Sequence, residues 1–447
     1  MKHLAIDIGA ESGRGAVGEI VNHKLHITEV HRFANTPVQF DGSLRWDTET
    51  LIGNIKQAIH KSGDIASVGL DTWGVDFALL DANDQLIEQP YCYRDSRTDG
   101  VMEKVFNKIL KERIYEQTGI QFMQINSLFQ LCATPKETLK KAHHFLTMPD
   151  YLNFALLNEK QANSEFTIAT TTQCFNPNTQ DWAYPLLEQL EIPSRIFPIT
   201  VQPGTKLGHV DNALLIAPSC HDTACAVAAV PAEGEDFAWI SSGTWSIMGI
   251  ESDKPIINQQ SYKANITNEG GVANTFRVSK NVMGLWLVQQ CRATWAAQGE
   301  DYSYEKLATL AENADVDEII FDVDHPECLK PCDMPALIRK LTDKPALQDP
   351  GQIIRIVLQS LAAKYAEHLQ TLETITGRKL NRIHIVGGGS QNKLLNRLTE
   401  EACKRPVIEG PVEATAIGNI MMQMIAMGEL GSIAEGRKVV RDSFGAP

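Results

Sequence analysis

The chain has 447 residues, 55 acidic against 41 basic, with 43% apolar and 7% aromatic residues, 31 Gly and 20 Pro. That length implies about two or three domains, each with enough interior to fold without disulfide staples. A formal charge of −14 argues against wrapping phosphate backbones or binding an anionic membrane surface, so nucleic acid and membrane are excluded as partners.

At the start, Met1-Lys2-His3 runs straight into Leu4-Ala5-Ile6 and Asp7, without the uninterrupted apolar stretch of an export signal. The charge-free apolar segment 417–428 is 12 residues long, too short to span a bilayer. The nine cysteines are scattered and include no C-x-x-C pair; Cys328 and Cys332 come nearest to a metal or redox spacing but lack a second pair. The expectation is a soluble, cytoplasmic protein with reduced thiols.

Residues 4–8 and 15–20 read as short strands around the small-residue turn 9–14. The same grammar returns downstream, where strands 237–241 and 245–250 flank Ser242-Gly243-Thr244, which suggests a duplicated architecture. Between them, strands are expected over 65–71 and 75–80 around Thr72-Trp73-Gly74, and a helix over 100–118 with Gly119 as its stop. The linker between halves should fall near 231–235. A long helix is predicted after Asp349 and Pro350 and up to Gly377, its stripe running through Ile354, Leu358, Leu361, Tyr365, Leu369, Leu372 and Ile375. A helix lying on a sheet suits a mixed chain better than a coiled coil. A buried strand over 382–386, then Gly387-Gly388-Gly389, then a helix over 390–403 gives a ligand-facing order. The final helix is expected over 416–427, its four methionines filling core.

Small residues in a hairpin turn let backbone N–H groups converge on a phosphate, and two such turns could grip a polyphosphate. Asp7, just before the first turn, places a carboxylate where Mg²⁺ would accompany a nucleotide. Each hairpin alone is also accounted for as a tight turn needing Gly. G-x-x-x-x-G-K-[ST], G-x-S-x-G and H-E-x-x-H do not occur, and the cluster at 387–389 lacks G-x-G-x-x-G spacing, which removes Walker NTPase, serine hydrolase, zincin and dinucleotide dehydrogenase readings. The strand-end Asp222, flanked by His221 and Thr223, could orient and deprotonate a hydroxyl that attacks a γ-phosphate, or cap the helix that follows; both readings stand. Asp71 and Asp76, flanking Trp73-Gly74, are candidates for polyol recognition. Arg94-Asp95-Ser96-Arg97 reads as a structural ion-pair cluster, and His143-His144 as a surface feature.

Together these residues resemble the FGGY family of carbohydrate kinases. Asp7-Ile8-Gly9-Ala10-Glu11-Ser12-Gly13-Arg14 resembles its first phosphate loop, Ser241-Ser242-Gly243-Thr244-Trp245-Ser246 its second, and Val386-Gly387-Gly388-Gly389-Ser390-Gln391-Asn392 its adenosine motif. The stretches 69–77, 93–98, 148–151, 219–223 and 265–271 resemble the members that act on L-rhamnulose. The resemblance implies a two-domain actin-like ATPase (RNase H-like) α/β fold, each domain a mixed sheet flanked by helices, with the active site in the interdomain cleft. Residues 1–232 would form the N-terminal domain, with sugar site, base and first phosphate loop, and 233–447 the C-terminal domain. It implies phosphorylation of L-rhamnulose at the 1-hydroxyl by ATP with Mg²⁺, in a monomer or homodimer whose partners are a small-molecule ketose and ATP. Fuculose, xylulose or ribulose are alternative sugars, and a non-catalytic actin-like ATP-binding protein is the rival of another class.

Carried over residue by residue, Asp222 is the general base, and Gly74, His221, Asp222, Thr223 and Asn281 bind the sugar. Ala10, Glu11, Ser12, Gly13, Arg14, Thr244, Gln289 and Gly389 bind ATP, and Asp7 holds Mg²⁺ through water. Glu11 departs from the usual Ala-Ser-Ser pattern of this loop, placing a carboxylate beside the expected phosphates; it either points away or helps hold the metal.

Overall fold

The computed structural model describes residues 1–330 and 332–445. The chain forms two compact units, the first from Met1–Pro231, Glu251–Val278 and Ala414–Phe444, the second from Ala232–Ile250 and Ser279–Glu413 with Gly445. The first crossing falls between Pro231 and Ala232. The later crossings were not foreseen: the chain returns to the first unit twice, whereas the sequence division at 232/233 is linear.

In the first unit, a six-stranded mixed sheet runs in the order Thr205–Val210, Ala213–Ala217, Ser67–Thr72, His3–Ile8, Ser12–Val21, Lys24–Ala34. Its three central strands, 213–217, 67–72 and 3–8, are parallel, and the flanking pairs are antiparallel hairpins. Leu4, Ile6, Ile8, Val68, Leu70 and Leu215 are fully buried there with Leu51, Ile55 and Ile59 of the helix Thr48–Ser62. That helix starts because the Asp47 carboxylate accepts the Thr50 N–H, and its apolar residues recur at helical spacing. A second apolar cluster, containing Phe129, Phe145, Phe166, Phe175 and Trp182, supports the helices and turns of residues 101–197.

The second unit repeats the pattern: Trp245–Ser252 pairs antiparallel with Phe237–Ser242, which pairs parallel with Arg382–Val386, and that strand parallel with Val407–Glu409. The duplication expected from the two hairpins is therefore present at the level of strand order. The long helix Pro350–Thr376 has the Asp349 cap, accepting from Gln352 N, and ends at Gly377 with φ +67°. Its Tyr365 hydroxyl meets Ser246 Oγ at 2.6 Å, so this face lies on the sheet, as expected.

Several boundaries differ from expectation for local reasons. The helix placed over 100–118 is two, Val101–Phe106 and Lys111–Thr118, broken where the apolar stripe slips and Leu110 turns outward at 67% exposure. The strand after Trp73 starts at Phe77, because Val75 takes φ +69° and Asp76 N–H bonds back to Gly74 C=O at 2.9 Å. The helix after the glycine cluster begins at Lys393, capped by Asn392. The helix over 416–427 spans Ala414–Met427 and is not the last: Ile433–Phe444 follows. Ala414–Met427 packs within the first unit, where a Cβ on Gly418 would lie 1.9 Å from Cys225 C=O, so only glycine permits that approach.

Candidate active site

In an α/β sheet, groups at the carboxyl ends of parallel strands are gathered at one edge. The first unit places three expected segments there: Asp7 near the end of His3–Ile8, Asp71 and Trp73-Gly74 at the end of Ser67–Thr72, and His221-Asp222-Thr223 four residues beyond Ala213–Ala217. Asp7 and Asp71 are register partners, and Thr72 forms an isolated parallel bridge with His221, its N–H donating to Cys220 C=O at 2.9 Å. The turn before Asp222 is fixed from behind, since Cys220 N–H donates to Glu165 Oε2 at 3.0 Å and His221 N–H to Thr167 Oγ1 at 3.2 Å.

Asp222 is the first residue of the helix Asp222–Ala228 rather than its cap; His221 holds the cap position. All its contacts fall on one oxygen. Oδ1 accepts from Thr223 N–H at 2.5 Å and Thr223 Oγ1 at 3.1 Å, and His221 Nε2 stands 3.3 Å away. Among the described residues nothing donates to Oδ2, and the side chain keeps 31% of its surface open. Burial raises the Asp222 carboxyl from its ordinary value, and the charge of Asp7 adds to this. Such a group is a better base than an ordinary aspartate.

Gly74 lies beside this group: a Cβ there would come 3.4 Å from His221 Nε2 and 3.2 Å from Thr171 Oγ1. The left-handed Val75 next to it is an uncommon conformation for a β-branched residue, and Val75 C=O is held by Ser127 Oγ at 2.5 Å. Gly74, His221, Asp222 and Thr223 are thus brought together. Two charged residues that the sequence reading missed stand behind them. Arg277, fully buried, donates from Nε to Gly270 C=O at 2.9 Å, and its Nη2 lies 2.8 Å from His221 Nδ1 and 2.9 Å from Glu269 Oε2. Burial alone would raise the Glu269 carboxyl, but the Arg277 guanidinium opposes this and the group is held at about 2. No local signal marked Arg277, because the strand Phe276–Met283 is half polar and carries a second charge at Lys280.

The first hairpin turn is tied back by Asn35, whose Nδ2 donates to Gly9 C=O at 2.8 Å and whose N–H donates to Glu11 C=O at 3.0 Å. With the carbonyls turned to Asn35, the N–H groups of Ala10 and Glu11 meet no acceptor among the described residues, as a phosphate loop requires. The turn is shorter than expected, because Gly13 and Arg14 already pair with Ile8 and Asp7 in the ladder. Ser12 and the Glu11 side chain are exposed. Arg14 grips Asp7 Oδ2 with Nε at 2.9 Å and Nη2 at 2.7 Å. Among the described residues nothing donates to Asp7 Oδ1, and no group of three ligating side chains could cage a metal ion. The donor set therefore fits a cation held largely by phosphate and water, with Asp7 in support.

The other proposed polyol ligands behave differently. Asp76 Oδ2 accepts from Trp46 Nε1 at 2.7 Å, Trp73 Nε1 at 3.0 Å and Tyr93 N–H at 3.1 Å, and Oδ1 from Gln130 Nε2 at 2.8 Å, so its lone pairs are used in the interior. Asp71 is buried, accepts from Asn419 Nδ2 at 2.6 Å, and is pushed well up by burial and by Asp7. In the segment 94–97, Asp95 caps the turn Ser96–Thr98, while Arg97 stacks on Tyr91, 3.6 Å from its ring centre, and donates to Gln130 Oε1 at 2.8 Å. His143 and His144 pack edge to face, with His144 Nε2 3.7 Å from Asp84.

Within the second unit, the expected nucleotide residues also converge. Gln289 Nε2 donates to Thr244 Oγ1 at 3.2 Å, and a Cβ on Gly389 would fall 2.0 Å from Ser242 Oγ. The turn carbonyls of Gly243 and Thr244 accept from Leu285 and Trp286 N–H at 3.0 and 3.1 Å, where the helix Trp286–Ala297 begins. Asn281 lies on the strand Phe276–Met283, half-buried.

Two family models match the chain: the N-terminal domain of the FGGY family of carbohydrate kinases over residues 3–217 and its C-terminal domain over 238–427. The chain belongs to the FGGY family of carbohydrate kinases. It is a sugar kinase of the actin-like ATPase fold, with ATP as co-substrate. Its relatives include the rhamnulokinase of Halalkalibacterium halodurans, 40% identical with 99% of this chain and 97% of that protein covered. The rhamnulokinase of Bacteroides thetaiotaomicron is 39% identical, with 99% and 94% covered. Among solved structures, a ligand-bound xylulose kinase from Lactobacillus acidophilus superposes with TM-score 0.81 at 16% identity, covering 100% of this chain and 92% of that one. Plasmodium falciparum glycerol kinase with ADP gives 0.81 at 15%, covering 100% and 93%. At these identities the structural likeness concerns the fold. Among the described residues no helix is long and apolar enough to cross a membrane.

Proposed function

We propose that this kinase transfers the γ-phosphate of ATP to the 1-hydroxyl of L-rhamnulose, in the cytoplasm, where its nine free thiols stay reduced. The choice of sugar is supported by the rhamnulokinases it resembles at about 40% identity over 99% of the chain. The catalytic reading rests on one observation: Asp222 has one oxygen occupied by neighbouring donors and the other without a donor among the described residues.

A sugar hydroxyl is far too weak an acid for a carboxylate to ionise beforehand. The Asp222 Oδ2 atom accepts the proton as O1 bonds to the γ-phosphorus and the bond to the bridging β–γ oxygen breaks, the electron pair leaving with ADP. Gly74, His221, Thr223 and Asn281 orient the sugar. The Ala10 and Glu11 N–H groups, with Ser12, Gly13 and Arg14, receive phosphate oxygens, and Thr244, Gln289 and Gly389 hold the nucleotide. Mg²⁺, which neutralises phosphate charge when bound, would be held by Asp7 Oδ1 through water.

A coupled ADP-release assay with Mg-ATP across L-rhamnulose, L-fuculose, D-xylulose and L-ribulose tests this. The expected result is the highest kcat/KM for L-rhamnulose by at least about tenfold, the scale of one lost hydroxyl contact. A higher value for another ketose overturns the sugar assignment, and no ADP release with any sugar overturns the kinase chemistry for this chain.

A further inference from the structure

The catalytic reading requires that Oδ2, and not Oδ1, of Asp222 stay open. Thr223 holds Oδ1 through two donors, and the tautomer of His221 decides whether a third contact supports or opposes that choice. Its Nδ1 lies 2.8 Å from Arg277 Nη2. A guanidinium carries hydrogens on every nitrogen and never accepts, so Nδ1 at that distance must present a lone pair. A competing carboxylate oxygen, Glu269 Oε2, lies 3.4 Å from the same Nδ1 and would welcome a proton there. A proton on Nδ1 would however be pressed against the closer Arg277 hydrogens. The shorter contact decides.

We infer that Arg277, anchored by Glu269, is a positioning residue that locks His221 as the neutral Nε2–H tautomer, so that His221 donates toward Asp222 Oδ1 and leaves Oδ2 as the proton-accepting oxygen. This rests on the proposed role of Asp222. With the opposite tautomer, the Nε2 lone pair would face Oδ1 at 3.3 Å and repel it, and the carboxylate would lose its preferred rotation. The arrangement is rigid: Arg277 is fully buried, Nε is fixed on Gly270 C=O, and Glu269 is pinned by Thr267 Oγ1 at 3.3 Å. A buried Arg–Glu pair is by itself weak evidence of stabilisation, which leaves room for a role in orientation.

The test is the ¹⁵N–¹H long-range spectrum of protein labelled on the imidazole nitrogens, with His221 assigned among the 12 histidines by its absence in His221→Asn. The wild-type protein should show the neutral Nε2–H pattern. The double variant Arg277→Met/Glu269→Gln removes both buried charges together, so neither is stranded. Its His221 should populate the Nδ1–H form, and kcat should fall about 10- to 10²-fold, as when a partner orienting an active-site ligand is lost, with KM for ATP little changed. Arg277→Lys, which keeps a donor, should recover part of both. An Nδ1–H or doubly protonated His221 in the wild type overturns the inference, even if the double variant does not fold. So does a folded double variant that keeps the Nε2–H tautomer, whatever its activity. Because the tautomer is read without turnover, the expected spectrum in a chain inactive on every ketose would count against the proposed function alone.

Discussion

Asp7 and Asp71 stand opposite each other on parallel neighbouring strands, yet Arg14 holds the first by two nitrogens while Asn419, from the distant helix Ala414–Met427, holds the second. One carboxylate thus lies beside the first hairpin turn, and the other is raised toward neutrality in the interior next to it. The difference assigns them different tasks.

If Asp7 supports the metal through Oδ1, Asp7→Asn should raise the Mg²⁺ concentration for half-maximal rate by about tenfold or more, since a neutral amide binds a hard cation's waters poorly. Initial rates against Mg²⁺ at saturating ATP measure this. An unchanged Mg²⁺ curve would remove Asp7 from the metal site.

Asp76 is expected to matter for stability and not for sugar choice. Burial raises its carboxyl to about 6, against the hydrogen bonds from Gln130, Trp46, Trp73 and Tyr93. A carboxyl whose folded value exceeds its unfolded value of 3.8 contributes stability fully at acid pH and loses that contribution as the pH rises through the folded value. Urea melts should therefore show the stability of wild type relative to Asp76→Asn falling by about 2 kcal/mol between pH 4 and pH 7. A difference that is flat or rises over that window contradicts the burial argument.

Gly389→Ala would drive a methyl group into Ser242 Oγ, beside the proposed adenosine site. The strain of overpacking, about 1–3 kcal/mol, should appear as a lower melting temperature and a raised KM for ATP, with KM for sugar unchanged. Gly418→Ala meets Cys225 backbone instead and should destabilise the fold more, without a selective effect on ATP. A higher sugar KM in Gly389→Ala would misplace the nucleotide site.

The sequence revealed the strand ends because strand, small-residue turn and helix follow one another locally, as at residues 3–21, 237–252 and 382–403. It could not reveal what depends on residues far apart in the chain. Asp76 looked like a sugar ligand because its donor Trp46 lies 30 residues away and Gln130 lies 54 away. The return of Ala414–Met427 to the first unit depends on Gly418 meeting Cys225 and on Asn419 meeting Asp71, and no local pattern encodes either partner. Glu269 lay inside a stretch already tied to the family, but its role emerges only with Arg277 and His221 around it. The helix at 100–118 failed differently, since an apolar stripe that slips by one position leaves a break and a continuation looking alike in sequence.

The most direct measurement is steady-state phosphorylation by Asp222→Asn, with ATP and L-rhamnulose binding measured on the same preparation by calorimetry. The amide keeps the shape and an acceptor for the Thr223 donors but cannot take a proton. The expected result is a kcat lower by about 10²–10⁴-fold with both dissociation constants within a few-fold of wild type. A variant that turns over at a near-normal rate would show that Asp222 is not the base.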